Sequence, residues 1–151
     1  MKLAGLFVLL AGFVGMPVAR GQSLPAATPV FNHAAVCVHD LKRSTAFYHT
    51  AIGLQEIPNP FNDGLHTWLR IGPNLQLHVI QRGCPVGASK DAHLCFSVPS
   101  LSAFMDHLNA LGVAYTNLKG DSKVPTARLD GVKQLYIQNP GGYWVEINDA
   151  Q

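Results

Sequence analysis

Apolar and polar positions change period several times between residues 32 and 148, and each change marks an element. Residues 32–38 form an apolar strand run. Asp40 then stands as an N-cap before Leu41, Phe47, Tyr48, Ala51 and Ile52, which share one helical face, and Gly53 suits that helix's C-terminus. Residues 54–57 make a short strand and 58–64 a loop. Residues 65–71 and 75–81 are strands joined by Gly72-Pro73-Asn74, a hairpin signal. After residues 82–90, with Gly83, Pro85 and Gly87, the pattern begins again. Residues 92–98 are a strand, and Ser100 caps a helix carrying Leu101, Phe104, Leu108 and Leu111, which ends at Gly112. Residues 113–116 are a strand, 119–130 a polar loop, and 133–138 with 143–148 a closing hairpin.

This is β-α-β-β-β written twice. His33, Val38 and Leu41 map onto His93, Val98 and Leu101 at an offset of 60, and Gly53 maps onto Gly112 with one residue fewer. Laying Leu75-Gln76-Leu77 on Val145-Glu146-Ile147 makes Gln76 the counterpart of Glu146. The fold class is α+β. Two paired βαβββ modules, residues 31–81 and 91–149 with a linker at 82–90, form a single domain over residues 31–149 whose sheets curve around a shared cavity. One module alone could not cover both faces of its sheet.

Glu146 is one of two glutamates, and it sits mid-strand among apolar residues. A carboxylate there must be paired, hydrogen-bonded or metal-bound, unless the strand lies at an edge and the group points at water. The repeat decides between these. His33 and His93 open equivalent strands, and Gln76 and Glu146 lie in equivalent closing strands. Two-fold repetition is expected to bring the four to one point as ligands of one divalent ion: Zn, Ni, Mn, Co or Fe. His78 shares a strand face with Gln76 and is its rival for the fourth position, or a group touching the substrate. Arg70, on a neighbouring strand with His66, reads as a solvated charge or as an anion contact in the cavity. His39, His49, His66 and His107 have no repeat partners, and His49 and His107 read as helix-surface residues. No Ser-His-Asp order, phosphate loop or Cys-x-x-Cys is present.

The first residues change the picture of where the protein works. Lys2, the apolar run of residues 3–16 and Ala19-Arg20-Gly21 read as an export signal over residues 1–21, cleaved before Gln22. That implies a periplasmic or secreted protein without a membrane anchor. Residues 22–30 read as a flexible lead-in. Without the signal, 130 residues remain, with nine basic and nine acidic side chains. Near-neutrality argues against nucleic acid or an anionic membrane as partner and leaves a small molecule. Three cysteines do not make a disulfide framework. Cys37 and Cys95, in apolar strand runs, read as buried small hydrophobes, and Cys84 as a loop residue.

Asn32-His33-Ala34-Ala35-Val36-Cys37-Val38-His39-Asp40-Leu41, followed by Ser44, Phe47-Tyr48 and Gly53-Leu54, resembles the opening of the vicinal oxygen chelate superfamily. That superfamily includes glyoxalase I, bleomycin-resistance proteins, extradiol dioxygenases and fosfomycin-resistance enzymes. Residues 92–98 resemble its second-module opening, and residues 139–147 its Asp-Pro-x-Gly closing strand with Asn139 in place of Asp. The resemblance implies a divalent metal held by His33, His93 and Glu146, with Gln76 at the fourth position that glyoxalase I uses. It also implies a substrate chelated through neighbouring oxygens, Glu146 as a proton shuttle, and a homodimer. Bleomycin-resistance proteins, which sequester a drug without catalysis, lack this ligand set and supply the alternative function.

Overall fold

The computed structural model describes residues 29–83, 85 and 89–151. The expected signal, most of the lead-in and Cys84 lie outside the described residues.

The first module runs β1 (His33–Val38), α1 (Leu41–Phe47), a π-helical turn (Tyr48–Ile52), β2 (Gln55–Ile57), β3 (His66–Gly72) and β4 (Leu75–Gln81). The second runs β5 (His93–Ser97), α2 (Leu101–Ala110), β6 (Tyr115–Thr116), β7 (Thr126–Ala127), β8 (Lys133–Gln138) and β9 (Trp144–Asn148). The Asp40 carboxylate accepts from the Arg43 N–H and the Ser100 hydroxyl from that of Ala103, so both helices begin at the expected caps. Gly53 takes a φ of 86°, the left-handed conformation that ends the first helix. The short strand β7, inside the expected 119–130 loop, pairs with Lys133 and Gln134 of β8. Two residues are too few to show an alternation in sequence.

The strand orders are β1-β4-β3-β2 and β5-β9-β8-β6, with β7 also on β8. The opening and closing strands of each module pair in parallel, and the other pairs are antiparallel. One face of each sheet is apolar. Val36, Val38, Leu69, Leu77 and Val79 of the first sheet and Leu135, Ile137, Val145 and Ile147 of the second join Tyr48, Leu101 and Leu108 in one core cluster. Each such fully buried side chain stabilises the fold by about 1.5–3 kcal/mol.

The other faces carry the chemistry. The strand registers place His33, Gln76, His78, Trp68 and Arg70 on one, and His93, Cys95, Glu146, Asn148 and Tyr136 on the other. This alternation corrects the reading of two cysteines. Val36 and Val38 point to the core, so Cys37 lies on the opposite face, where it is disulfide-bonded and half-buried. Leu94 and Phe96 turn inward, so Cys95 shares the polar face with His93 and Ser97 as an exposed free thiol.

The modules meet through their helices and turns. The Asn139 side-chain amide donates to the Tyr48 hydroxyl at 3.1 Å, and His107 Nε2–H donates to the Thr50 carbonyl at 3.1 Å. His49 Nδ1–H donates to the Leu54 carbonyl. Both histidines are exposed, as their helix positions suggested.

Candidate metal centre

Glu146 lies in β9, an inner strand, and is 5% exposed. The edge-strand reading is therefore excluded, and its charge is met by donors. Oε2 accepts from the Tyr136 hydroxyl at 2.7 Å. Oε1 accepts from the Asn148 amide at 2.9 Å and from the Cys95 thiol at 3.4 Å. Burial pushes the Glu146 pKa up, but these three hydrogen bonds and the neighbouring His93 outweigh it and hold the carboxyl below its ordinary range. The donors respond in the opposite direction. Burial and the adjacent carboxylate raise the Tyr136 pKa, and burial with the same charge pushes Cys95 up to about 12. Cys95 is thus held as a thiol, a hydrogen-bond donor and a poor nucleophile.

His93 faces this carboxylate. Its Nδ1 donates to the Lys90 carbonyl at 2.5 Å, which makes Nε2 the free ring nitrogen. Nε2 stands 3.3 Å from Glu146 Oε2. Two bonds of about 2.0–2.1 Å meeting at a tetrahedral angle span about 3.3–3.4 Å, so the pair has the separation that a shared cation requires.

The first module offers a second pair. His33 Nδ1 is bonded to Asn32 Oδ1 at 2.8 Å, again leaving Nε2 free. Gln76 lies beside His33 in register, and Arg70 lies beside Gln76. His78 is clamped, its ring stacked on His33 at 4.2 Å and 12° and on Trp68 at 4.2 Å and 3°. Its Nε2–H donates to Gln76 Oε1 at 2.9 Å. Burial, and then the charges of His33 and His66, lower its pKa, so it is neutral. Imidazole lone pairs lie in the ring plane. Parallel rings 4.2 Å apart therefore cannot both direct lone pairs at one ion. Gln76 Oε1 has a second lone pair beyond the one His78 occupies.

The structure brings His93 to Glu146, and His33 to Gln76 and His78. It does not bring the pairs together: among the described residues, no three His, Cys, Asp or Glu side chains are arranged to hold a metal ion. Side-chain hydrogen bonds join the turn after α1 to α2 and to the turn before β9. The repeat mapping also needs a correction. In register, Glu146 lies beside Cys95, whereas Gln76 lies beside His33 and His78 beside Ala35. Residues 35 and 95 are separated by the same offset of 60, so His78, not Gln76, is the positional counterpart of Glu146.

Sequence reasoning missed Tyr136, Asn148, Cys95, Lys90 and Trp68. Asn148 and Cys95 share strand parity with Glu146 and His93, and parity would have placed them on the same face.

The sequence model of the Glyoxalase/Bleomycin resistance protein/Dioxygenase superfamily matches residues 30–147. A lactoylglutathione lyase of Pseudomonas aeruginosa is 28% identical, over 80% of this chain and 82% of its own. Among solved structures, a putative glyoxalase family protein from Bacillus anthracis superposes with a TM-score of 0.65 at 22% identity, covering 85% of this chain and all of that one. The fosfomycin resistance protein FosX of Listeria monocytogenes, in complex with Mn(II) and 1S,2S-dihydroxypropylphosphonic acid, gives 0.66 at 18% identity, over 82% and 94% of the two chains. Paired βαβββ modules, one polar face on each sheet and a family match across nearly every described residue lead to one assignment: the chain belongs to the Glyoxalase/Bleomycin resistance protein/Dioxygenase superfamily, with the vicinal oxygen chelate fold.

Proposed function

We propose that the chain is an exported metal-dependent enzyme, glyoxalase-like in its chemistry. Its substrate is a small molecule chelated through two neighbouring oxygens. The observation that carries this reading is the facing of His93 Nε2 and Glu146 Oε2 at 3.3 Å, with Nδ1 anchored on the Lys90 carbonyl. The reading gives four ligands. His93 and Glu146 come from one copy and His33 and Gln76 from a second copy, because one copy holds them as separate pairs. The stacked ring of His78 orients the Gln76 amide and is not itself a ligand.

When bound, a divalent ion would supply Lewis acidity to the chelated oxygens. The chain's own residues supply proton transfer and order. Glu146, held anionic by Tyr136, Asn148 and Cys95, takes a proton from a substrate carbon and returns it to the neighbouring one. Tyr136 keeps its own proton and so remains a donor to Glu146 throughout. Similarity to a lactoylglutathione lyase supports an isomerising lyase over a dioxygenase. Sequestration of a small molecule without catalysis is the second reading, favoured by the separation of the two pairs in one copy.

The protein, purified without chelator and then offered Zn, Ni, Mn, Co and Fe(II) in turn, is expected to retain one of them stoichiometrically and to isomerise hemithioacetals of methylglyoxal. His33→Ala, His93→Ala and Glu146→Gln should each lose most of the metal, and His107→Ala should not. If no metal is retained, the enzyme reading fails and sequestration replaces it.

A further inference from the structure

A cavity of about 340 Å³ lies at the β6 side of the second sheet, walled in part by Val113, Tyr115, Thr116, Tyr136, Gln138 and Trp144. It adjoins Glu146 through a single ring, because Tyr136 lines the cavity and donates its hydroxyl to Glu146. Trp144, a second wall, pairs in register with His93. Among the described residues, no charged side chain lines the cavity. Two ammonium groups beside its aromatic walls are already engaged. Lys90 Nζ sits 4.6 Å from the Trp144 ring centroid and 5.3 Å from that of Tyr136, and it donates to the carbonyls of Asn117 and Leu118. Lys123 Nζ stands 5.0 Å from the Tyr115 ring. An aromatic face already covered by an ammonium offers little to a cationic ligand. Neither ammonium is among the groups that line the cavity, so an anionic ligand there would meet no direct ion pair from them.

We infer that this cavity receives an uncharged apolar group of the substrate, of the size of an aromatic ring. The molecule that reacts beside Glu146 is then a neutral small molecule, not a conjugate that places carboxylates or ammonium groups there. A cavity of this size has room for a ring-sized group. The link to the reacting oxygens rests on the metal-site reading above, whereas the character of the cavity does not.

The test has two arms. Without added metal, benzyl alcohol, benzoate and benzylammonium are titrated while the backbone amide signals of Ala114, Thr116 and Gln138 are followed by NMR. Benzyl alcohol should shift them at a concentration at least tenfold below that needed for either ion. With metal added, acetohydroxamate, benzohydroxamate and 4-carboxybenzohydroxamate offer the same two oxygens and are compared by calorimetry. Benzohydroxamate should bind at least tenfold more tightly than the other two, and Ala114→Phe, which adds a ring at a residue that lines the cavity, should abolish that advantage. Equal or tighter binding of the charged probes in either arm overturns the inference, as does the absence of any shift with benzyl alcohol. If benzyl alcohol retains its preference while no hydroxamate binds, the metal-site reading fails and the cavity assignment stands.

Discussion

Replacing Tyr48 by Phe removes one oxygen from the buried seam between the modules, and two separate effects follow. Tyr48 is fully buried and Asn139 is 3% exposed. The Asn139 Nδ2–H donates to the Tyr48 oxygen, while Asn139 Oδ1 accepts the Gly141 and Tyr143 N–H groups and shapes the turn before β9. The Phe variant keeps the ring and strands the amide, at a cost of about 1–3 kcal/mol near neutral pH. Asn139→Ala should cost more, because it also leaves two turn N–H groups unmet. The second effect is alkaline. Burial lifts the Tyr48 pKa from about 10 to about 12, against the opposing hydrogen bond from Asn139. Between pH 10 and 12 the folded chain holds a proton that the unfolded chain has lost. The stability associated with this group is therefore complete below pH 10 and falls as pH rises, by about 1.4 kcal/mol per pH unit and about 3 kcal/mol in all. Tyr48→Phe lacks that loss. Wild type should be the more stable protein at pH 8, and the gap should close or invert by pH 11.5. Cys95 and Tyr136 ionise late as well but do not touch Tyr48, so they steepen both curves alike. Urea unfolding of both proteins from pH 7 to 11.5 measures the gap. A gap that stays constant across that range would refute the buried neutral phenol, and no gap at pH 7 would refute the hydrogen bond's contribution.

Two further outcomes follow from burial and charge. Leu108, fully buried where α2 meets the core, should cost about 2–5 kcal/mol when replaced by Ala, measured by urea unfolding. Cys95 is exposed yet raised to about 12 by burial and the Glu146 charge, so iodoacetamide should label it slowly at pH 8 and distinctly faster in Glu146→Gln, read by peptide mass spectrometry.

The proposed function asks one carboxylate, Glu146, to serve both as a ligand and as a base, and its hydrogen bonds are compatible with both roles. Three protein donors hold Glu146 from its two oxygens, yet Oε2 still faces His93. A ligand that left a metal would keep these bonds. The free energy of an unpaired buried charge would then not oppose its departure.

Much of this protein is set by local pattern. The helix starts at Asp40 and Ser100 and the left-handed Gly53 depend on neighbours a few residues away, and so does the alternation that sends Val145 and Ile147 inward and Glu146 to the other face. The repeat of two modules followed from the same patterns. Tertiary structure alone decided the register and which candidate ligands stand together. A slip of two residues keeps every side chain on its face, so alternation cannot tell whether Gln76 or His78 is the counterpart of Glu146. That choice falls to the turns and the parallel partner strand. The fates of Cys37 and Cys95, in similar apolar runs, depended on which face the neighbouring strands left open. Whether His33 and His93 share one ion is a matter of how whole modules dock. Contacts from Tyr48 to Asn139 and from Thr50 to His107 join the modules, the candidate ligands form no metal-holding group among the described residues of one chain, and no periodicity within a strand encodes that docking.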